Sequence, residues 1–266
     1  MAKTANSPKI RLFVEDALTW GGSVGLTAEQ SHYAANVMRH SAGDHIAVFN
    51  GRDGEWDAEI SSIGRRRCEL RIDRCLRVQT SGPDLWLMFA PIKRAKIDFV
   101  AAKATELGVS ALWPVLTART EARRVNSGRL RANAIEAAEQ CGRMDVPEIL
   151  PVDELDHALS QWPPERRLLV CDPTVTDRPI AEVLSGETEL GNRPWAVLTG
   201  PEGGFTRSEL DGLDKLPFVS RANLGPRTLR AETAGLAALV CWQALMGDWR
   251  DGAQLSAGPS GIADEA

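Results

Sequence analysis

The chain has 266 residues, 43% hydrophobic and 25% charged. That balance excludes wholesale disorder and leaves room for one large or two modest domains. Net charge is −5, from 31 basic and 36 acidic residues, so no overall basic excess advertises a nucleic-acid partner.

No apolar run approaches the ~20 residues of a bilayer span, and the first residues are polar where a signal peptide would be apolar. The five scattered cysteines show neither CxxC nor Cys/His pairing, which excludes a zinc ribbon and points to a reducing, cytoplasmic compartment. Asp251, Asp264 and Glu265 lie in a Gly/Ser/Ala-rich tail, residues 251–266, that reads as disordered; without those three charges the body carries about −2. Between Lys93 and Asp145, ten Lys/Arg stand against six Asp/Glu, and Arg65, Arg66 and Arg67 form a basic triplet. Local clusters of this kind, not the total, decide whether phosphate contacts form.

Residues 1–80 read as a small β-rich domain. Residues 11–14 are an apolar strand candidate. Thr27 to Gln30 has capping-box form, and Tyr33, Val37 and Met38 follow at helical spacing, predicting a helix to about Arg39. Gly43-Asp44 turns into a strand over 45–50, and residues 50–54 are hairpin punctuation. Trp56, Ala58 and Ile60 alternate with Asp57 and Glu59; Cys68, Leu70 and Ile72 alternate with Glu69 and Arg71. Several short strands with one helix predict a small barrel.

After a break at 80–84 the period changes. Residues 85–90 are a continuous apolar run, the pattern of a buried strand. Ile97, Val100, Ala101, Ala104 and Leu107 share a helical face that ends at Gly108. A strand over 111–116, a helix over 126–141 closed by Gly142, strands over 168–171, 196–199 and 218–224, and helices over 206–213 and 230–246 complete an α/β domain across 84–250.

Two glycine-containing loops follow apolar strands in the last third: Gly200-Pro201-Glu202-Gly203-Gly204-Phe205, and Leu224-Gly225-Pro226-Arg227-Thr228-Leu229-Arg230-Ala231-Glu232-Thr233-Ala234. Open α/β sheets bind ligands at such edges, where glycine lets the backbone approach. Neither loop has GxGxxG or P-loop form, and read alone both also fit plain tight turns. Charged residues at a sheet edge are costly to place unless they pair or act. His32, His40, His45 and His157 have no ligand spacing, so no metal site is predicted; Cys141 and Cys171 read as small core residues.

These loops do not stand alone. Val37-Met38-Arg39 with Gly43-Asp44, Phe49-Asn50-Gly51, Trp56-Asp57-Ala58-Glu59-Ile60, residues 103–109, residues 136–143 and Val146-Pro147-Glu148-Ile149 precede them in order. Across nearly its whole length the chain resembles the bacterial 16S rRNA uridine-N3 methyltransferases of the SPOUT class. The resemblance implies an N-terminal PUA-like β-barrel that helps hold RNA and a C-terminal α/β domain with a trefoil knot. It further implies S-adenosyl-L-methionine bent into that knot, a homodimer, and a uridine of the small ribosomal subunit as substrate. The alternative is a SPOUT enzyme acting on tRNA or large-subunit rRNA. Two departures stand out: Thr117-Ala118-Arg119-Thr120-Glu121 where relatives often carry Ser-Glu-Arg, and Cys171-Asp172-Pro173 where they often read His-Pro.

Site assignments follow from that resemblance. Leu198, Thr199, Gly200, Glu202, Gly203, Gly204, Leu224, Gly225 and Leu229 are expected to hold the cofactor through backbone edges and apolar contact. Arg227 and Arg230 are candidates for the uridine phosphate or the deprotonated base, and Glu232 for a proton acceptor or a helix-terminal anion. Arg11, Arg39, Arg65, Arg66, Arg67, Lys93, Arg94, Arg123, Arg124 and Arg143 are expected to meet RNA. The last helix is apolar around most of its circumference, which points to burial against a second subunit.

Overall fold

The computed structural model describes residues 10–64, 67–92, 94–187 and 193–251, without the side chains of Arg94, Ala95 and Asp251. Arg65, Arg66, Lys93, the Arg94 side chain and nearly all of the tail at 251–266 therefore lie outside the described residues.

The chain opens with β1 (Arg11–Phe13), β2 (Ser23–Gly25), α1 (Ala28–His32), β3 (His45–Phe49), β4 (Glu55–Ile63) and β5 (Cys68–Arg77). It continues with β6 (Leu85–Phe89), α2 (Arg94–Glu106), β7 (Ala111–Leu116), α3 (Ser127–Cys141), β8 (Glu148–Ile149), β9 (Asp153–Glu154) and α4 (Leu155–Ser160). β10 (Arg167–Cys171), α5 (Ile180–Ser185), β11 (Trp195–Thr199), α6 (Arg207–Leu213), β12 (Val219–Ala222) and α7 (Ala231–Leu245) complete it. Contacts gather these elements into two compact units that do not follow chain order.

The first unit combines the described residues up to Gly82 with 94–112 and 124–151. Its five-stranded sheet runs β1-β3-β4-β5-β2, with β1 parallel to β3 and the other pairs antiparallel. Leu12, Val24, Ile46, Ile60, Leu70 and Ile72 close its core. Thr27 caps α1 by a full capping box with Gln30. The expected continuous helix to Arg39 stops being α-helical at His32; Tyr33–Val37 is a π-helical turn. Arg39 ends it at φ 57°, the one non-glycine residue at positive φ among the described residues.

Alternation holds on β4, but its charged face is buried as well. Glu55 and Asp57 lie opposite Phe49 and Ala47, on the face turned away from the Ile46, Ala58 and Ile60 core, and are buried there all the same. Each then finds cations: Glu55 pairs with Arg11 at 2.5 Å and with Arg77, and Asp57 with His45 at 3.1 Å and Arg74 at 3.2 Å. In the same unit, α2 packs on α3, and Gly142 closes α3 at φ 86°.

The second unit holds 83–92, 113–123 and the described residues from 152 onward. Its strands run β12-β10-β11-β6-β7, parallel through the β12–β10, β10–β11 and β11–β6 pairs. Every residue of β11 is buried, as the unbroken apolar run predicts for a strand covered on both faces. α7 packs against β6, β10 and β11. It approaches closely at Gly235, where a Cβ would lie 3.5 Å from Thr199 and 3.6 Å from Leu87. β2, β8, β9, α4 and α5 are additions to the predicted elements.

Candidate functional site

A cavity of about 480 Å³ opens at the carboxyl ends of β10 and β11, the edge at which open parallel sheets take ligands. Three chain segments wall it: 171–174 after β10, 199–205 after β11, and 228–231 with Ala234 at the start of α7; Arg119 completes the wall.

The loop after β11 is shaped by its glycines in three different ways. A Cβ on Gly200 would meet the Phe205 ring at 3.0–3.2 Å, so the ring folds back over a position that only glycine leaves open. Gly204 turns the chain at φ 67°, a conformation L side chains rarely adopt. Gly203 needs neither freedom; a Cβ there would lie 3.4 Å from Arg119.

Arg119 ties this loop down. Its Nη1 donates to the carbonyls of Gly203 (2.7 Å) and Phe205 (3.3 Å). Glu209 accepts from the Ala118 amide at 2.8 Å while closing a capping box with Thr206 at the head of α6. The departure from the family's triplet at 117–121 thus still supplies an arginine to the pocket wall.

Asp172 is the buried anion of the site. It accepts from the Thr174 amide (2.9 Å), the Thr174 hydroxyl (2.8 Å) and Arg221 Nη2 (2.5 Å). Burial pushes its pKa up, but these donors outweigh burial and hold the carboxyl below its ordinary value. The neighbouring Cys171 thiol is pushed up to about 12, chiefly by burial, with Cys241 and Asp172 adding to the shift. It is an inert packing group, as expected; Cys141, expected in the core, is instead exposed.

Of the expected cofactor residues, Thr199, Gly200, Glu202, Gly203, Gly204 and Leu229 line the cavity, and Arg230 joins them. Leu198 is fully buried in the core beneath it. Leu224, Gly225, Arg227 and Glu232 belong to the same loop and helix start but not to the lining. Arg227 is exposed, and Glu232 is partly buried in the first turn of α7. Asp172, Phe205 and Thr228, which lie in segments singled out above but were assigned no role, and Thr174, which lies outside them, also line the cavity. For Asp172 the available signal was a carboxylate immediately after a buried strand.

The expected RNA residues divide. Arg11 and Arg143 are structural, which corrects the expectation that they meet RNA. Arg11 donates to Glu55 and to the carbonyls of Ala138, Glu139 and Arg143, and its guanidinium lies 4.5 Å from the Phe49 ring centre. Arg143 donates to the Thr105 and Val109 carbonyls and pairs with Asp145. Arg39 and Arg124 are exposed, Arg67 pairs with Glu69, and Arg123 pairs with Glu154. Among the described residues, one group with metal-ligand reach exists, His45, Asp57 and Asp73 within 4.8 Å of one another, and Arg74 already neutralises part of it.

The geometry is that of an α/β ligand-binding edge joined to a small β unit, and known proteins share it. An RNA methyltransferase domain matches residues 80–243, and an RNA methyltransferase PUA domain matches 26–73. The chain belongs to this RNA methyltransferase family. Ribosomal RNA small subunit methyltransferase E of Rickettsia conorii is 30% identical over 231 residues, covering 86% of this chain and 93% of that one. A crystal structure of the Neisseria gonorrhoeae ribosomal RNA small subunit methyltransferase E, bound to S-adenosyl methionine, superposes with a TM-score of 0.81 at 28% identity, over 90% of this chain and 99% of that one. A putative methyltransferase from Legionella pneumophila, also in complex with the cofactor, gives 0.79 at 28% identity, over 90% and 98%. The N-terminal unit is thus PUA-like and the C-terminal domain is of the α/β methyltransferase type. No helix among the described residues is long and apolar enough to cross a membrane.

Proposed function

We propose that this chain transfers the methyl group of S-adenosyl-L-methionine to N3 of a uridine in 16S rRNA of the small ribosomal subunit, in the cytoplasm. The cavity at the carboxyl edge of β10 and β11 carries the reading. It is walled by backbone of 199–205 together with Leu229, Ala231 and Ala234, the backbone edges and small apolar faces that an adenosine moiety requires. Bound there, the cofactor supplies an electrophilic methyl group. Arg230 stands at the wall to balance the charge of a deprotonated uracil, with Arg227 beside it. Glu232, in the first turn of α7, is the nearby carboxylate for the N3 proton. Arg119 and Phe205 keep the Gly200 loop in shape.

A trefoil knot through the C-terminal loops and a homodimer complete the proposal. The dimer is favoured by the apolar α7, which leaves Val240 exposed, and the division into a PUA-like part at 1–80 and a catalytic part at 84–250 by the limits of the two matched domains. Arg39, Arg67, Arg123 and Arg124, with Arg65, Arg66, Lys93 and Arg94, are the proposed RNA contacts. Methyl transfer from labelled cofactor to small subunits of a strain lacking this gene, followed by mass spectrometry of the rRNA, is expected to place one methyl on uridine N3. No incorporation, or methylation of tRNA instead, overturns the reading.

A further inference from the structure

Most arginines of the described residues are held by carboxylates or carbonyls. Three on the loops beside the cavity, Arg178, Arg227 and Arg230, have side chains with no hydrogen bond or ion pair to another described residue. Arg178 was no part of any sequence motif. It ends the loop that leaves β10 by way of the cavity-lining residues Asp172, Pro173 and Thr174. Arg227 and Arg230 lie on the loop that leaves β12.

These two loops are fastened to each other. The Asn223 amide donates to the Arg178 carbonyl at 2.9 Å, the Ile180 amide donates to the Asn223 carbonyl at 3.0 Å, and Pro179 and Asn223 form a parallel bridge. The Gly225 amide then donates to Asn223 Oδ1 at 3.0 Å, turning the second loop at φ 96°. Backbone hydrogen bonds therefore set the root of Arg178 beside the root of the Arg227 loop. The carboxylates at hand are mostly consumed: Arg221 takes both Asp172 and Asp214. Asp177 is the exposed acid on the Arg178 loop itself.

We infer that Arg178 is a positioning residue that binds an RNA phosphodiester flanking the target nucleotide, acting with Arg227 while Arg230 serves the base. The inference rests on the function proposed above. Guanidinium groups without internal partners keep their donors for an incoming phosphate, and a pinned backbone lowers the ordering cost of using them. The arrangement does not contribute to the fold: removing an exposed, unpaired arginine alters stability little.

Two measurements on Arg178→Ala, Arg178→Lys and a control, Arg193→Ala, test it. Arg193 is an exposed arginine just before β11, at the opposite sheet edge from the cavity. Filter binding of a 16S rRNA transcript across salt concentrations is expected to show about tenfold weaker binding for Arg178→Ala. Its log–log salt slope should be shallower by about one ion, with Arg178→Lys restoring the slope and Arg193→Ala unchanged. Turnover on small subunits is expected to show a raised KM for RNA with kcat and cofactor affinity near wild type. A salt slope for Arg178→Ala equal to wild type, or an equal loss in Arg193→Ala, overturns the inference. Should the slope change while wild-type protein transfers no methyl to the subunit, the phosphate site stands and the proposed function falls.

Discussion

Two sets of arginines, one in each unit, are used in opposite ways. In the first unit, Arg11 and Arg77 flank the buried Glu55, and their remaining donors reach carbonyls of Ala138, Glu139, Gly142 and Arg143 at the carboxyl end of α3. Helix ends carry unsatisfied carbonyls and a partial negative charge, so the two arginines bind a helix terminus to a β-sheet as a counterion would. In the second unit, Arg230 lines the cavity, Arg178 and Arg227 stand on the loops beside it, and none of the three side chains pairs with another described residue. A guanidinium that is fully used stabilises the fold and is unavailable to ligand; one left unused contributes little to the fold and is available. Which of the two an arginine is depends on its partners, not on its place in a motif.

The largest effect is expected at the used end. Glu55→Gln removes the anion between Arg11 and Arg77 while leaving both cations in place. Breaking a buried pair by deleting one partner costs about 3–5 kcal/mol, and the Glu55 side chain is only 7% exposed. Urea unfolding is expected to lose about 3 kcal/mol or more, with α3 protection from hydrogen exchange falling first. A loss below ~1 kcal/mol would mean that the arginines are solvated and the contrast between the units is false.

At the cavity the expected loss is in rate. Arg230→Ala should reduce methyl transfer by on the order of 10²-fold, the scale for one preorganised charge stabiliser, with cofactor affinity and thermal stability near wild type. Gly200→Ala should do the reverse. Its new methyl meets the Phe205 ring at about 3 Å, so the loop must shift and cofactor affinity fall by more than turnover at saturation. Calorimetry and single-turnover rates on the two variants separate binding from chemistry. Equal cofactor loss in both would move Arg230 to the cofactor side.

Asp172 sits between the two regimes, a buried acid at the cavity wall held by Arg221. Its folded pKa lies below the ordinary value of about 3.9. A depressed carboxylate stabilises the fold above its unfolded pKa, and that contribution is lost as pH falls toward the folded value. Asp172→Asn should therefore lower Tm at pH 7, with the gap to wild type narrowing below about pH 4. A gap independent of pH down to 3 would show that the hydrogen bonds from Thr174, not the charge, carry the effect.

Much of this was readable from residue order. Continuous apolar runs located β6 and β11, glycines closed α2 and α3, and the two glycine loops marked the cavity. Periodicity needs length, so β2, β8, β9, α4 and α5, each two to six residues long, escaped it. Alternation on β4 set Asp57 on the face away from Ala58 and Ile60 but could not show that this face is buried too, because a period-2 pattern gives the face and not what covers it. The roles of Arg11 and Arg143 were unreadable for another reason. Arg11 meets a carbonyl 127 residues away, and a backbone carbonyl leaves no trace in side-chain identity.

The smallest expected effect tests the line between used and unused. Arg123 pairs with Glu154 at 2.6 Å, which counts as use by geometry, yet both side chains are more than half exposed. An exposed pair gains little Coulomb energy in water and orders two long side chains to gain it, so it contributes from nothing to about 1 kcal/mol. Glu154 is then a weak competitor for an RNA phosphate, and Arg123 behaves as an unused arginine despite its partner. Arg123→Ala should change unfolding free energy by less than about 0.5 kcal/mol while making the salt slope of RNA binding shallower by about one ion. Glu154→Gln, which frees the arginine without removing it, should leave stability as unchanged and strengthen RNA binding slightly at low salt. If Arg123→Ala instead destabilises as Glu55→Gln does, exposure is the wrong criterion, and geometry alone decides which arginines the fold has already spent.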